Sequence, residues 1–280
     1  MIMRYIDLHV HSNCSDGTFS PEELVVLGIK QELVAFALTD HDTISGVERA
    51  IKKAEEFDNK IQVIPGMELS CKYTISSSQS VEIHMLGYRY DIHNKKLIAT
   101  LEDISNERDE RNRKMCSNLQ NAGFPISYDM LCERFGDTIL TRAHFARLLL
   151  ENGGVPSLDY AFRTCLSSDS PYFVNREYLT PKDAIDLIRA SGGIPVLAHP
   201  LLYKLSVSQI RRLLDDLTSY GLCGIEAIYS RNRGTDEAFV RKLADEYHLF
   251  ITGGSDFHGA NKPDIELGRR TANVRVPVML

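Results

Sequence analysis

Strand-like hydrophobic runs alternate with helix-like runs at both ends of this 280-residue chain, a rhythm that implies a parallel α/β sheet. Seven runs read as strands: Tyr5 to Val10, Val34 to Leu38, Ile61 to Ile64, Val81 to Tyr88, Ile194 to Ala198, Gly224 to Tyr229 and Leu249 to Thr252. Helices are predicted from Pro21, over Gly46 to Phe57, over Ser206 to Tyr220 and over Thr235 to Tyr247. The first has a complete start signal, with Ser20 as N-cap, Pro21 opening the helix and Glu23 closing a capping box; Thr180, Pro181 and Asp183 repeat nearly the same signal. Between residues 96 and 180 strand character gives way to charged, helix-forming sequence, too rich in Leu, Ile and Phe to be a disordered linker. The chain is therefore expected to consist of a first sheet-forming part over 1–95, a helical insertion over 96–180 and a second sheet-forming part over 181–280.

Nine polar side chains fall where these strands hand over to loops. His9 and His11 close the first strand, Asp16 lies in HSNCSDG, His41 in LTDHD, Glu68 in PGMEL, His84 in EIHMLG, His199 in VLAHP, and Asp256 and His258 in GGSDFHG. Side chains alternate along a strand, so His9 and His11 share one face, with Asp7 placed beside them to orient an imidazole. In a closed parallel barrel all of these strand ends meet at one rim, where barrel enzymes build their sites. Capping of its own strand explains any one of the nine, but not all of them together.

Imidazole and carboxylate are donors that Zn, Mn and Fe accept. Nine ligands exceed what one ion can use, so three divalent cations are expected. Their six positive charges would face three ligand carboxylates, Asp16, Glu68 and Asp256, and the surplus suits a phosphate ester attacked by a metal-held hydroxide. The formal charge of -6 weighs against a basic surface that grips long nucleic acid. Six cysteines without a C-x-x-C pair read as reduced thiols. MIMRYIDLHVHS runs directly into a strand and no stretch of about 18 apolar residues occurs, so a cytoplasmic protein with no membrane contact and no stable protein partner is expected.

The motifs DLHVHS, SDG, TDHD, GMELS, EIHMLGY, LAHP and GGSDFHG, in that order across residues 5 to 260, resemble the PHP (polymerase and histidinol phosphatase) family. The resemblance implies a distorted seven-stranded (β/α) barrel carrying a trinuclear site of Mn, Zn or Fe. It places His9, His11, Glu68 and Asp256 on a first metal, Glu68, His84 and His199 on a second, and Asp16, His41 and His258 on a third. Asp16 before Gly17, and Thr141-Arg142-Ala143-His144 in the insertion, are similar to the TrpH-type branch. That branch holds phosphatases of nucleoside 5'-monophosphates and 3',5'-bisphosphates and a 5'-to-3' exoribonuclease, whereas the histidinol phosphatase branch tends to carry His where Asp16 stands. CLSSDSPYFVN departs from a more Gly- and Lys-rich stretch of the branch.

Arg142 and His144 are the candidate substrate-binding and catalytic residues of an insertion that folds over the metals as a lid, with Asp256 and His258 catalytic as well as ligating. A guanidinium can hold two phosphate oxygens at once. Arg147 reads as a structural partner of Glu151, Glu226 as an acceptor behind the ligands, and Asp40 and Asp42 as imidazole-orienting groups or, for Asp42, a helix cap. Cys14 reads as packing, and His93 and His248 as solvated. The expected reaction is hydrolysis of a nucleotide phosphate monoester of the 5'-AMP or 3',5'-bisphosphate type, with exonucleolytic cleavage of short RNA ends second and a non-nucleotide phosphate third. Two other classes compete. An amidohydrolase would carry a carboxylated lysine at a strand end, where this sequence has none, and a non-catalytic PHP scaffold would have no need of every acidic ligand.

Overall fold

The seven expected strands all form: β1 (Tyr5–Val10), β2 (Leu33–Leu38), β3 (Gln62–Ser76), β4 (Gln79–Tyr88), β5 (Ile194–Leu197), β6 (Gly224–Tyr229) and β7 (Phe250–Gly254). The computed structural model describes residues 5–77, 79–136, 138–268 and 276–277. The strands lie in chain order around a nearly closed barrel, and β8 (Val276–Pro277) adds to the outer edge of β1. Closure comes from the segment after β7. Val10 bridges Phe257 in parallel, the Asp256 N–H donates to the His9 carbonyl at 2.8 Å and the His11 N–H to the Phe257 carbonyl at 3.0 Å.

Helices α1 (Pro21–Lys30) and α2 (Val47–Glu55) follow β1 and β2, and α3 (Lys95–Asn121), α4 (Tyr128–Phe135), α5 (Arg142–Glu151) and the short α6 (Leu158–Tyr160) fill the middle of the chain. The second half returns through α7 (Pro181–Ala190), α8 (Val207–Tyr220) and α9 (Asp236–Glu246). Local chemistry sets the helix starts as expected. Ser20 and Glu23 close a reciprocal capping box, and Thr180 caps α7 through the Asp183 N–H. The middle helices bury a hydrophobic cluster of their own, around Met115, Leu119, Leu131, Phe145 and Leu149, separate from the clusters that line the barrel strands. Among the described residues no helix is long and apolar enough to cross a membrane.

One strand runs against the expected parallel order. β4 is antiparallel to both β3 and β5. Residues 71–76 alternate strictly between buried and exposed, so β3 continues past the barrel rim and returns at once as a hairpin. A parallel pairing would need a crossover of a dozen or more residues, which the chain between β3 and β4 does not have. Glu68 and His84 therefore lie within strands, not at strand ends, with His84 opposite Ser70 and Glu68 opposite Leu86.

Asp7 differs from expectation as well. Its fully buried carboxylate orients no imidazole. It accepts the N–H groups of His9 at 3.2 Å, Ser255 at 2.8 Å and Gly268 at 2.8 Å, and the Ser255 hydroxyl at 2.5 Å. These donors have no other outlet in the barrel interior, so the carboxylate pins the closing loop to β1. Asp7→Ala leaves several buried donors unpaired, and we expect urea denaturation to show a loss of about 3 to 5 kcal/mol.

Candidate metal centre

Closure of the barrel gathers all nine polar residues into one cluster. Glu68 sits at its middle. One oxygen lies 3.3 Å from His9 Nε2, 3.2 Å from His11 Nε2 and 3.2 Å from His41 Nδ1, and the other lies 2.9 Å from both His84 Nδ1 and His199 Nε2. Asp256 approaches His9 and His11 at 3.7 and 3.4 Å. Asp16 lies 3.2 Å from His258 Nε2, 3.8 Å from His11 Nδ1 and 3.9 Å from His41 Nε2.

The donor set fits divalent cations. His9 Nε2, both ring nitrogens of His11, His41 Nδ1 and Asp16 Oδ1 are buried without a hydrogen-bond partner. Buried polar atoms are rarely left in that state, and a cation satisfies imidazole lone pairs and carboxylate oxygens together. Four overlapping groups bring their donor atoms within 4.8 Å of one another: His11, Asp16, His41 and His258; His9, His11 and Asp256; His9, Glu68 and His199; and His41, Glu68 and His84. Burial pushes Asp16 and Glu68 up, but the surrounding imidazoles, His258 and His41 first among them, hold both well below the usual carboxylate range. Asp256 is likewise held low against burial, by Lys262 and then His258.

A second ring of residues fixes these donors. Glu226 meets His9 Nδ1 at 3.0 Å and accepts the His199 N–H at 2.8 Å, which takes the place expected of it behind the cluster. The Asp256 carbonyl accepts from His258 Nδ1 at 2.9 Å, turning Nε2 toward Asp16. The Tyr229 hydroxyl and the Lys262 ammonium both donate to Asp256 Oδ2, at 2.7 and 2.5 Å. Neither Tyr229 nor Lys262 stands out in the sequence, because each lies in a segment that looks like ordinary strand or loop. Two of the donors carry left-handed backbone: His199 has φ 24° and Asp256 φ 57°. Two glycines permit the approach of the chain. A Cβ on Gly254 would stand 2.3 Å from His9 Cβ, and one on Gly17 2.2 Å from the His11 carbonyl oxygen.

The insertion lies against this cluster. Thr141, the N-cap of α5, donates its hydroxyl to Asp16 at 3.2 Å, and the Ile139 N–H donates to the Cys14 carbonyl at 3.1 Å. Arg142 lines a cavity of about 140 Å³ together with Asp16, His41 and His84, and meets Glu82 at 3.2 Å. His144 does not line that cavity. It is buried, its Nδ1 accepts the Thr141 N–H at 2.9 Å to complete a capping box, and its ring meets Phe135 edge-on. Arg147 pairs with Glu151 at 2.9 Å, as expected, and also reaches Asn261.

Neither Asp40 nor Asp42 orients an imidazole or caps a helix. Asp40 accepts the N–H and hydroxyl of Ser12 and the hydroxyl of Ser15, shaping the loop that carries Asp16. Asp42 accepts from Arg108 of α3, from Arg176 at 3.1 Å and from the Ser70 N–H at 2.8 Å. Charged guanidinium donors take Asp42, and the amide and hydroxyls of the adjacent Ser12–Ser15 loop take Asp40 by proximity. Arg108, Arg111 and Arg176, which sequence reading passed over as part of a charged helix and a connecting segment, join Arg142 along the cavity wall.

Barrel, rim cluster and cationic wall together define a metal-dependent phosphoesterase. The chain belongs to the PHP domain family, which matches residues 7–155. It is 34% identical over 252 residues to a 5'-3' exoribonuclease of Haemophilus influenzae, covering 90% of this chain and 89% of that protein. It is 32% identical over 269 residues to a 3',5'-nucleoside bisphosphate phosphatase of Chromobacterium violaceum, covering 95% and 91%. A solved structure from Bifidobacterium adolescentis, described as a metal-dependent phosphoesterase, matches with a TM-score of 0.83 at 29% identity, covering 96% and 92%.

Burial pushes His144 down from 6.5 to about 4 in the folded chain. The unfolded chain then binds the extra proton as pH falls through that window, so stability present above 6.5 is lost on acidification toward 4, to a limit of about 3 kcal/mol. Urea midpoints measured from neutral pH down to about 4 should show a shallower acid slope in His144→Asn than in the parent.

Proposed function

We propose that this chain hydrolyses phosphate monoesters of nucleotides, with 5'-AMP or a nucleoside 3',5'-bisphosphate as the type of substrate. The observation that carries this reading is one cavity lined by Asp16, His41 and His84 together with Arg108, Arg142 and Arg176. Divalent cations held there, three in number and drawn from Mn, Zn and Fe, would bring the pKa of water toward about 7 and offset the charge on phosphate oxygens. The ligand sets are His9, His11, Glu68 and Asp256; Glu68, His84 and His199; and Asp16, His41 and His258. The grouping of His9, His11 and Asp256 and that of Asp16, His41 and His258 support the first and third sets, and for the second set His84 and His199 each lie 2.9 Å from the same Glu68 oxygen; Glu68 is shared because it touches five imidazoles.

The chain supplies position and charge. Arg142 presents a guanidinium beside the cluster, matched in shape to two non-bridging phosphate oxygens, and Glu82 holds it there. Thr141 and Asp40 keep Asp16 in place through its own oxygen and through its loop. The insertion over 96–180 serves as the lid that carries Arg142 to the rim and excludes water around the ester. His144 acts on this arrangement through Thr141, not on the substrate. Exonucleolytic cleavage of short 5'-phosphorylated RNA is the second reading, favoured by the 34% identity to an exoribonuclease over most of both chains.

Elemental analysis of the purified protein, run beside phosphate release from AMP, a 3',5'-bisphosphate and a short 5'-phosphorylated RNA, tests both readings. Asp16→Ala is expected to lose part of the bound metal together with activity. Arg142→Ala is expected to keep its metal and lose roughly 100-fold in kcat/KM. Full activity in Arg142→Ala would remove that residue from the mechanism, and inertness of the metal-loaded protein toward all three substrates would remove the proposal.

A further inference from the structure

Asn261 joins two parts of the chain that meet at Asp16. Its amide oxygen accepts from Arg147 Nη1 of α5 at 2.9 Å, and its amide nitrogen donates to the Asp16 carbonyl at 2.7 Å. The partners fix which way the amide points, since a guanidinium only donates and a carbonyl only accepts. Asn261 ends the short turn after His258, and that turn is packed tightly on the loop of Asp16. The Ala260 N–H donates to Thr18 Oγ1 at 2.9 Å, and a Cβ on Gly259, which has φ 62°, would stand 2.1 Å from the same oxygen. Asn261 does not line the cavity beside the cluster, so it acts on the chemistry only through what it holds.

The donors fall into two kinds. His9, His11 and Glu68 stand on strands β1 and β3, with side chains 0%, 0% and 1% exposed. Asp16, His41 and His258 lie outside the seven strands, and the side chains of Asp16 and His41 are 10% and 14% exposed. The insertion grips each of the three loops that carry them. Thr138 and Thr141 donate to the Ser15 carbonyl and the Asp16 carboxylate. Arg108 and Arg176 hold Asp42, the residue after His41. Arg147 holds Asn261, three residues beyond His258. Holding these loops together favours a cation among their side chains, and by reciprocity such a cation favours the seated insertion. We propose that Asn261 is a positioning residue that ties the insertion to the Asp16 loop, so that the cation of the Asp16, His41 and His258 set binds at full strength only while the insertion is seated. The inference rests on the reading of three cations above and adds which of them answers to the insertion.

The test titrates Mn into the full chain stripped of metal, read by calorimetry, and measures hydrogen exchange over residues 138–147 with and without Mn. Asn261→Asp keeps an acceptor for Arg147 but cannot donate to the Asp16 carbonyl, and Arg147→Met removes the other end of the tie. In both variants the weakest site of the parent should weaken by roughly 10- to 100-fold, while the tighter sites stay within about threefold. Arg147→Lys, which can still donate to Asn261, should recover most of the affinity. Saturating Mn should slow exchange over residues 138–147 by about tenfold in the parent and by much less in Asn261→Asp. Equal weakening of every site would make Asn261 a general support of the fold and overturn the proposal. A weakest site unchanged in either variant, or exchange that Mn does not alter in the parent, overturns it too. If the parent binds fewer than three Mn, the three-cation reading has failed, and the exchange measurement still judges the tie by itself.

Discussion

The site exists because the two ends of the chain are held together by a few buried hydrogen bonds at the barrel seam. The His9 carbonyl and the Asp7 carboxylate take up backbone N–H groups from the segment after β7, and His11 returns one to the Phe257 carbonyl. Apolar packing favours a closed barrel but does not specify which residue lies opposite which, whereas paired backbone donors do. With this register His9 and His11 fall beside Asp256 and His258, and Glu68, coming across from β3, can meet histidines from both ends of the chain. A shift at the seam by one residue would separate the imidazoles that share Glu68.

A second constraint fastens the insertion to the barrel. Asp42, just after the His41 bridge, holds Arg108 from α3 and Arg176 from the returning segment, while its other oxygen takes the Ser70 N–H. Buried ion pairs add little net stability against an apolar replacement, yet losing one partner strands a charge, so their main effect is to restrict how the two parts sit. The arginine wall is thereby set in position before any substrate arrives, which is the preorganisation that phosphate chemistry draws on.

Much of this was legible from residue order. Helix starts at Ser20 and Thr180 obey rules that act over three or four residues, and such rules carry over directly to the structure. The nine polar residues were legible because histidines and acids beside hydrophobic strands are costly and demand a shared explanation. The β3–β4 hairpin was missed because SSSQS has no Asn-Gly or Asp-Gly turn, and the alternation that marks CKYTIS as a strand is short. Asp7 and Asp42 were misjudged for another reason. Their partners lie up to 261 and 134 positions away, so any reading of their neighbours in sequence assigns them to the nearest imidazole or helix.

The sequence by itself determined the strand and helix rhythm, the caps, the identity of the clustered donors and the family resemblance, because each is written in residue types at short spacing. Tertiary structure alone decided that β4 runs backwards, that Asp7, Asp40 and Asp42 serve backbone, hydroxyl and arginine donors instead of imidazoles, and that His144 caps a helix. These depend on which distant groups compete for one acceptor in a dry interior. That competition is settled by geometry and relative donor strength, and neither is expressed along the chain.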